Sequence, residues 1–479
     1  MTGKLIVPAP YPYSPLGSMA APGPEDTPLM DIAIALTLAF TTLLTAVYRG
    51  VFILWPLLLT LGILSAVYWR RGIPVADLQQ HLFAGIRQSA GVLSILLLIG
   101  AVVASWLAAG TVPTLVYYGL QLIHPQYFLV SAFGLTALVS TLLGTSFGSA
   151  GTIGLALMIM ARGAGGSEGW TAGAIIAGAY VGDRCSPMSS SAHLVAAITN
   201  TSVPQNLRRM VQTSWVPLLA SAAIYTWASR LHPLTRVDDA LLTAIPTTFV
   251  VQPLTLLPAV LLVALTGLRC PVLRTLWISL GSAIALALTL QSQSLGQVIT
   301  TLLWGSRLSP DHDLSLIFQG GGLWSMVRVC SVVLVSTALA GLLSGQGTFD
   351  RVGQLLSRWS SPRGRFGSTV LASVLTSAFG CTQTIAILLT QQIMQPQYIA
   401  TQAEADTLAV DIENSAVVIA PLIPWNIAGL VPATVILADA SFIPYAVYLY
   451  LLPLWHWLWG HRKGRSRSSP STPFPLNLI

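Results

Sequence analysis

Long apolar runs recur along the sequence from Leu29 to the tryptophans that precede Gly460. Apolar residues form 54% of the 479-residue chain and charged residues only 8%, whereas about a quarter of the residues in a soluble domain are charged. About 20 apolar residues suffice for a helix to cross a bilayer. Because the runs are continuously apolar and do not alternate, they predict helices and not a barrel. The expected fold is an all-α polytopic membrane protein with about ten to twelve transmembrane helices.

The basic residues cluster in connecting segments and near the C-terminus. The chain carries 23 Lys and Arg against 16 Asp and Glu, which gives a formal charge of +7. Positively charged loops stay on the cytoplasmic side of a membrane, so the segments 70–87 and 351–365 and the C-terminal tail are predicted to be cytoplasmic. This distribution indicates a lipid bilayer as the partner and gives no indication of nucleic-acid binding.

The sequence also contains two related halves. The segment 144–163 resembles the segment 376–394. At a constant offset of 232 positions, the matching pairs are Phe147 and Phe379, Gly148 and Gly380, Thr152 and Thr384, and Ile153 and Ile385. An offset near half the chain length indicates an internal duplication.

The charge pattern predicts the relative orientation of these halves. The basic segments 70–87 and 351–365 correspond to segments without Lys or Arg, 309–319 and 119–133. Corresponding loops are therefore expected on opposite sides of the membrane. Inverted-topology repeats of this kind, with discontinuous or re-entrant helices, are typical of secondary transporters.

The two halves define the predicted organisation of the chain. It comprises a disordered N-terminal tail (1–28), a first transmembrane repeat with leading helices (29–230), linking transmembrane helices (231–308), a second transmembrane repeat (309–460) and a basic cytoplasmic tail (461–479). The N-terminal residues lack a charged start followed by an apolar core, so no cleaved signal peptide is expected.

Three acids lie beside apolar segments that are rich in small residues: Asp183, Asp411 and Glu413. An ionised carboxylate at membrane depth costs about 2.5 to 3.5 kcal/mol, so it persists where it faces a cavity, a cation or a partner. Asp183 is therefore a candidate cation or proton site, with a salt bridge to Arg184 as the structural alternative. Asp411 and Glu413 point about 200° apart on a helix, so one of them is expected to be structural. Glu413 is favoured for the site because a polar pair follows it.

Polar side chains near these acids can complete a cation site. Hard cations such as Na⁺ take carboxylate, hydroxyl and carbonyl oxygens, and proline frees backbone carbonyls where it interrupts a helix. The candidate ligands are Ser186, Ser189, Ser190, Asn414, Ser415 and Asn426. Small hydroxyl residues also pack transmembrane helices closely, which is the structural alternative for the serines.

A second set of polar residues falls where helices are expected to be interrupted and is predicted to line the permeation path. Its members are Thr145, Ser146, Thr152, Thr382, Gln383 and Thr384. The GxxxG patterns at 144–148 and 178–182 are typical of close helix packing. His193 is a further candidate for proton binding, although a single His in an apolar stretch is commonly a packing residue.

Several function classes lack their motifs in this sequence. It contains no Walker loop, HExxH, nucleophile elbow or paired metal ligands, so an ATP-driven pump, an intramembrane protease or another enzyme is not expected. The four cysteines show no metal-binding spacing and are predicted to be small buried apolar residues. No cofactor is expected beyond the transported Na⁺ and H⁺.

Three segments carry a resemblance to a known family: GTSFGSAGTIGLALMIMARG (144–163), AGAIIAGAYVGDRCSPMSSSAHLVAA (172–197) and DIENSAVVIAPLIPWNIAG (411–429). They resemble the signature segments of the NhaC-type Na⁺/H⁺ antiporter family, within the broader ion transporter superfamily. The similarity runs from about Gly85 to Pro453. The chain departs from the family pattern at Ser190, Cys381 and Asn414, where members carry acids.

The resemblance implies a secondary antiporter in the bacterial cytoplasmic membrane that exchanges Na⁺ for protons by alternating access. Asp183 and Glu413 would bind either Na⁺ or a proton, and this competition would couple the two gradients. The alternative is a Na⁺- or H⁺-coupled transporter of an organic solute, such as an amino acid or a carboxylate. A passive channel would explain interrupted helices but not two acid-bearing halves. The C-terminus is expected in the cytoplasm, and a homodimer is compatible with the sequence.

Overall fold

The computed structural model describes residues 30–122, 124–234, 239–268, 270–306, 318–346, 362–398 and 402–459. The predicted tails, 1–28 and 461–479, and most of the basic segment 351–365 lie outside these residues. The described residues form helices joined by turns, and none of them lies in a β-strand. The predicted all-α polytopic fold is confirmed, whereas the predicted domain boundaries stay predictions.

The helices follow one another along the whole described chain. The first part contains α1 (Met30–Tyr48), α2 (Leu54–Arg70), α3 (Val75–Gln88), α4 (Ala90–Ala108), α5 (Thr111–Leu122), α6 (Phe128–Leu143), α7 (Ser146–Ser149), α8 (Leu155–Gly163), α9 (Glu168–Cys185), α10 (Ser190–Thr199) and α11 (Val203–Leu231). The connecting part contains α12 (Asp239–Thr248), α13 (Leu257–Gly267), α14 (Val272–Thr289) and α15 (Leu295–Trp304). The last part contains α16 (Leu323–Gly345), α17 (Pro362–Gly380), α18 (Gln383–Met394), α19 (Gln402–Glu413), α20 (Ala416–Ile419), α21 (Ile427–Val435) and α22 (Val447–Trp459).

Three of the described helical segments are each long and apolar enough to cross a membrane: α4, residues Pro125–Leu143, and α16. The segments Ala403–Leu422 and Ile427–Val435 form a further candidate span that is bent by 56°. Other apolar helices, such as α2 and α15, are shorter than such a span. The predicted number of ten to twelve crossings therefore stays a prediction.

Within the described residues, both halves contain a helix that is interrupted in the same way. α6 ends where Gly144 adopts a left-handed conformation (φ 69°), and the side chain of Thr145 then caps α7. α17 ends before Cys381, which is also left-handed (φ 58°), and Thr382 caps α18. A left-handed residue stops a helix, and a threonine oxygen that accepts a backbone N–H starts the next one. The predicted discontinuous helices are therefore present.

The helix breaks match residues of the two halves at a different offset from the one that the sequence comparison gives. They match Thr145 with Thr382, whereas the offset of 232 matches Phe147 with Phe379. Phe147 follows its interruption and Phe379 precedes the other one. In each half the helix restarts where a capping threonine follows a left-handed residue. The short matching segments of the two halves do not determine that position. The inverted orientation of the halves stays a prediction.

The second interrupted helix of each half lies next to a predicted site acid. α9 ends two residues after Asp183, and Ser189 caps α10 through the backbone N–H of Ala192 (3.2 Å). α19 ends at Glu413, and the chain then turns through α20 and two prolines before Asn426 caps α21. Proline supplies no N–H for a helix to continue through these turns.

Close contact between α6 and α9 positions the first interruption beside Asp183. A Cβ atom added at Gly182 would lie 2.0 Å from the backbone carbonyl carbon of Ser140, and one at Gly178 would lie 2.5 Å from the carbonyl oxygen of Phe133. The packing predicted for the second GxxxG pattern is confirmed. In the first pattern, a Cβ at Gly144 would lie 2.5 Å from the backbone carbonyl carbon of Met188, in the turn between α9 and α10, whereas one at Gly148 would meet side-chain atoms of Thr145.

Candidate functional site

Asp183 lies near the end of α9, where the interruptions of both halves meet, and it is 5% exposed. Its Oδ1 accepts a hydrogen bond from the backbone N–H of Ser146, the first residue of α7 (3.2 Å). Its Oδ2 accepts one from Nε2 of Gln383, the first residue of α18 (3.0 Å). Both donors belong to the N-terminal ends of helices, which favour a negative charge. One carboxylate therefore joins the two halves at their helix breaks.

The serines that follow Asp183 stabilise the end of α9. Ser189 and Ser191 both donate to the backbone carbonyl of Asp183, Ser191 at 2.7 Å, and their hydroxyl oxygens lie 2.8 Å apart. Ser186 donates to the carbonyl of Thr141 (2.7 Å). These hydroxyl groups satisfy carbonyls that the interrupted helix leaves open. Direct coordination of a cation by Ser186 or Ser189 stays a prediction.

Ser190 and His193 lie on the exposed face of α10, whereas Asp183 is buried. Nδ1 of His193 lies 2.7 Å from the carbonyl oxygen of Ser189. The structure therefore places these two candidates on a surface and not in the buried group around Asp183.

Glu413 ends α19 and is completely buried, with 0% exposure. Neither of its carboxylate oxygens has a hydrogen-bond partner among the described residues. The charged groups that act on it electrostatically are Arg184 and Asp183. An ionised carboxylate in such surroundings is costly unless it takes up a cation or a proton. Glu413 therefore has the environment of a group that binds a positive charge.

The guanidinium of Arg184 contacts the second half of the chain and not its neighbour Asp183. Its Nε donates to the backbone carbonyl of Glu413 (3.2 Å), and one terminal nitrogen donates to Oδ1 of Asn414. The other terminal nitrogen donates to the hydroxyl of Ser214 on α11. No ion pair of Arg184 with a carboxylate occurs in the described part of the chain. The salt bridge considered for Asp183 is therefore wrong.

Asp411 faces a different set of partners from Glu413. Its Oδ1 lies 2.7 Å from Nε2 of His456 on α22, and its Oδ2 accepts a bond from the hydroxyl of Tyr398 (2.8 Å). Phe366 packs edge-on against the imidazole of His456. Asp411 thus has the bonded environment of a structural acid, as expected for one of the two acids of α19.

The polar residues that follow α19 hold the second interruption together. Asn414 accepts the bond from the guanidinium, and Ser415 donates to the carbonyl of Asp411 (2.6 Å). Asn426 caps α21 and also donates to the carbonyl of Ser377, near the end of α17 (2.7 Å). All three candidates are buried and bonded to the protein.

The predicted helix-break residues occupy several positions around the interruptions. Those that contact Asp183 or cap a restarting helix are Ser146, Gln383, Thr145 and Thr382. Thr152 is buried and donates to the carbonyl of Gly148 (2.8 Å) in the π-helical turn Ala150–Gly154. Single π turns inside α-helices are frequent at functional sites. Thr384 is exposed on α18.

Two contacts of the site were not predicted as part of it. Tyr180, one turn before Asp183, donates to the carbonyl of Ala428 (2.8 Å) and connects α9 with the start of α21. Ser214 accepts a bond from Arg184, although its segment of α11 carries no motif in the sequence. Tyr180 could have been recognised from the sequence, because it is a polar residue in a helix of small residues. Nothing in the sequence distinguishes Ser214 from other serines.

Interrupted helices and buried carboxylates between two halves are typical of integral membrane proteins of the secondary transporter class. The model of the Na⁺/H⁺ antiporter family matches residues 178–456. The chain belongs to this family. The matched range contains Asp183, Arg184 and Glu413.

Curated relatives are similar over most of the chain. A malate-2H⁺/Na⁺-lactate antiporter from Bacillus subtilis is 27% identical over 425 residues, which cover 87% of this chain and 90% of the relative. The Na⁺/H⁺ antiporter NhaC from Alkalihalophilus pseudofirmus is 29% identical over 395 residues, 80% of this chain and 85% of the relative. The arginine/ornithine antiporter ArcD from Halobacterium salinarum is 25% identical over 415 residues, 84% of each chain. The resemblance to NhaC-type antiporters is confirmed, and the names of these relatives differ in cargo.

Proposed function

We propose that this protein exchanges Na⁺ for protons across the bacterial cytoplasmic membrane by alternating access. Asp183 and Glu413 are the groups for which Na⁺ and protons compete. The observation that carries this proposal is the burial of Glu413 with no hydrogen-bond partner for either carboxylate oxygen in the described residues. The basic C-terminal tail supports a cytoplasmic C-terminus.

The cargo supplies a positive charge directly at the carboxylate of Glu413, whose oxygens accept no hydrogen bond from the described residues. A protonated carboxyl and a carboxylate paired with Na⁺ are both less costly in a membrane interior than the bare anion. Carboxylate oxygen is also the ligand type that hard cations prefer. Because one cargo excludes the other, a gradient of either ion drives transport of the other.

Asp183 links cargo binding to the position of the helices. Its two donors, the N–H of Ser146 and the amide of Gln383, come from different halves. A cation or proton on this carboxylate neutralises its charge and so weakens the charge-assisted hydrogen bonds from both donors. Loading and unloading therefore change the free energy of contacts between the halves, as alternating access requires.

Everted membrane vesicles test the proposal. Na⁺ added to vesicles that contain the protein should dissipate an imposed pH gradient, reported by a fluorescent pH probe, and vesicles without the protein should not respond. If neither Na⁺ nor Li⁺ changes the pH gradient, cation/proton exchange is excluded as the activity.

Transport of an organic solute is the second candidate, because relatives of this chain are named for malate, lactate, arginine and ornithine. Among the described residues, the candidate site offers such a solute no free cationic group, since Arg184 is 0% exposed and bonded to protein acceptors. Counterflow of labelled dicarboxylates and amino acids in proteoliposomes distinguishes the candidates. Only solute transport produces counterflow that depends on unlabelled solute inside.

A further inference from the structure

Arg184 is a buried cation that has no carboxylate partner among the described residues, although it lies next to two acids. It follows Asp183 in the chain, and its Nε donates to the backbone carbonyl of Glu413 (3.2 Å). Its other hydrogen bonds go to neutral acceptors on α11, in the turn after α19 and at the end of α9 itself, which are Thr213, Ser214 and Met210, then Asn414, and the thiol of Cys185. Neutral acceptors hold the guanidinium in place without cancelling its charge.

The charge of the site can be counted from these contacts. Asp183 and Glu413 contribute two negative charges when ionised, and Arg184 contributes one positive charge that guanidinium groups keep at all physiological pH values. The other titratable groups that interact with them are Tyr180, Cys185 and Tyr448, which are of types that are ordinarily uncharged near neutral pH. With both acids ionised, the empty site therefore carries a net charge of minus one.

We propose that Arg184 is the fixed counter-charge of the cation site and limits it to one Na⁺ or one proton at a time. This inference rests on the proposed cation/proton exchange. One monovalent charge makes the buried group neutral, whereas a second would leave an uncompensated positive charge in the membrane interior, which is strongly unfavourable.

One-for-one exchange follows from this limit. Both loaded forms of the carrier are neutral, so neither moves net charge across the membrane. The exchange is therefore expected to be electroneutral, and its equilibrium is set by the two ion gradients without a contribution from membrane potential.

Reconstituted full-length protein tests the stoichiometry directly. In proteoliposomes with a clamped potential, opposing Na⁺ and pH gradients are varied until net proton flux stops. We expect a tenfold Na⁺ gradient to be balanced by one pH unit at every clamped potential. A balance at half a pH unit, or one that shifts with potential, overturns the inference while leaving Na⁺/H⁺ exchange intact. An absence of any Na⁺-dependent flux removes the proposed function and this inference together.

Charge-compensating variants test the role of Arg184 itself. Na⁺ is the probe, and Na⁺-dependent thermal stabilisation of the purified protein is the measurement. E413Q leaves a neutral site and should lose the stabilisation, whereas the double variant R184Q/E413Q restores a net charge of minus one and should regain it. R184K keeps the charge and should keep the one-for-one balance.

A purely structural role for Arg184 predicts the opposite pattern. The double variant would then respond to Na⁺ no better than E413Q alone, and that result overturns the inference. Monodisperse elution in size-exclusion chromatography establishes folding of each variant. If the double variant does not fold, the wild-type and R184K stoichiometries still decide the question.

Discussion

Nε2 of Gln383 lies 3.0 Å from Oδ2 of Asp183, although 200 residues separate them in the sequence. The other oxygen of the same carboxylate accepts the backbone N–H of Ser146. Because the two donors begin helices in different halves, the complete site requires both halves. Changes at Asp183 and at the helix breaks therefore affect function in distinguishable ways.

Substitution of Asp183 by Asn should abolish Na⁺-driven proton flux in everted vesicles while the protein remains folded. Asn keeps the size of the side chain and an oxygen that can accept from Ser146, but it cannot carry the negative charge that binds a cation. The matched control is Asp439→Asn, because Asp439 is exposed and Asn also caps the following helix well. Full activity in Asp183→Asn would assign Asp183 a structural role.

The two acids of α19 should respond oppositely to removal of their charge. Asp411→Asn places an amide donor against the hydroxyl of Tyr398 or the imidazole of His456, so it should lower the free energy of unfolding by about 1 to 3 kcal/mol. Glu413→Gln breaks no hydrogen bond of the carboxylate found in the described residues, so the unfolding midpoint should stay the same or rise. Tryptophan fluorescence during heating of the detergent-solubilised variants measures both effects. A larger loss of stability in Glu413→Gln would contradict this assignment.

Gly182→Ala should separate α6 from α9 and reduce both stability and transport, because the added methyl group would overlap backbone atoms of Ser140 and Thr141. Gly134→Ala on α6 is the control, since no atom lies within 4 Å of its added Cβ. That control should raise the free energy of unfolding by up to about 1 kcal/mol, as expected for Ala in place of Gly in a helix. Unfolding midpoints and vesicle flux should be measured on both. If Gly182→Ala and Gly134→Ala have the same unfolding midpoint and the same flux, the close contact between α6 and α9 is not required for stability or transport.

Thr382→Ala removes the side-chain oxygen that accepts the N–H of Ile385 (3.1 Å). This substitution should lower the free energy of unfolding by about 1 kcal/mol. Thr382→Ser keeps the cap and should restore stability. Thr384→Ala, at an exposed position two residues on, should leave stability unchanged. If Thr384 lines the permeation path, this variant instead changes the Na⁺ concentration at half-maximal flux. A stable Thr382→Ala variant would argue against the cap as the origin of the helix break.

Much of the site could be predicted because charge is so rare in the apolar part of this sequence. Asp183, Asp411 and Glu413 were distinguishable from the other acids by their neighbours alone, and helical geometry correctly separated Asp411 from Glu413. The approximate places of the helix breaks were also readable, because capping threonines and prolines act locally.

The directions of polar side chains could not be predicted in the same way. Ser189 and Ser191 donate to the carbonyl of Asp183, and Arg184 turns from its neighbour to Asn414, because these partners become available only after the helices pack. The pairing of Asp411 with His456 depends likewise on the placement of α22. Tertiary contacts determine which partner each polar side chain bonds to, and no pattern in a single sequence indicates those contacts.

The hydrogen bonds of Arg184 have a mechanical consequence. They fasten the end of α9 to α11 and to the turn after α19 through acceptors that are all buried or half-buried. The guanidinium thereby connects these three helices to one another. In the proposed alternating access, we therefore expect the backbone to rotate outside this group of helices, at the threonine-capped breaks that begin α7 and α18, where the helices are interrupted.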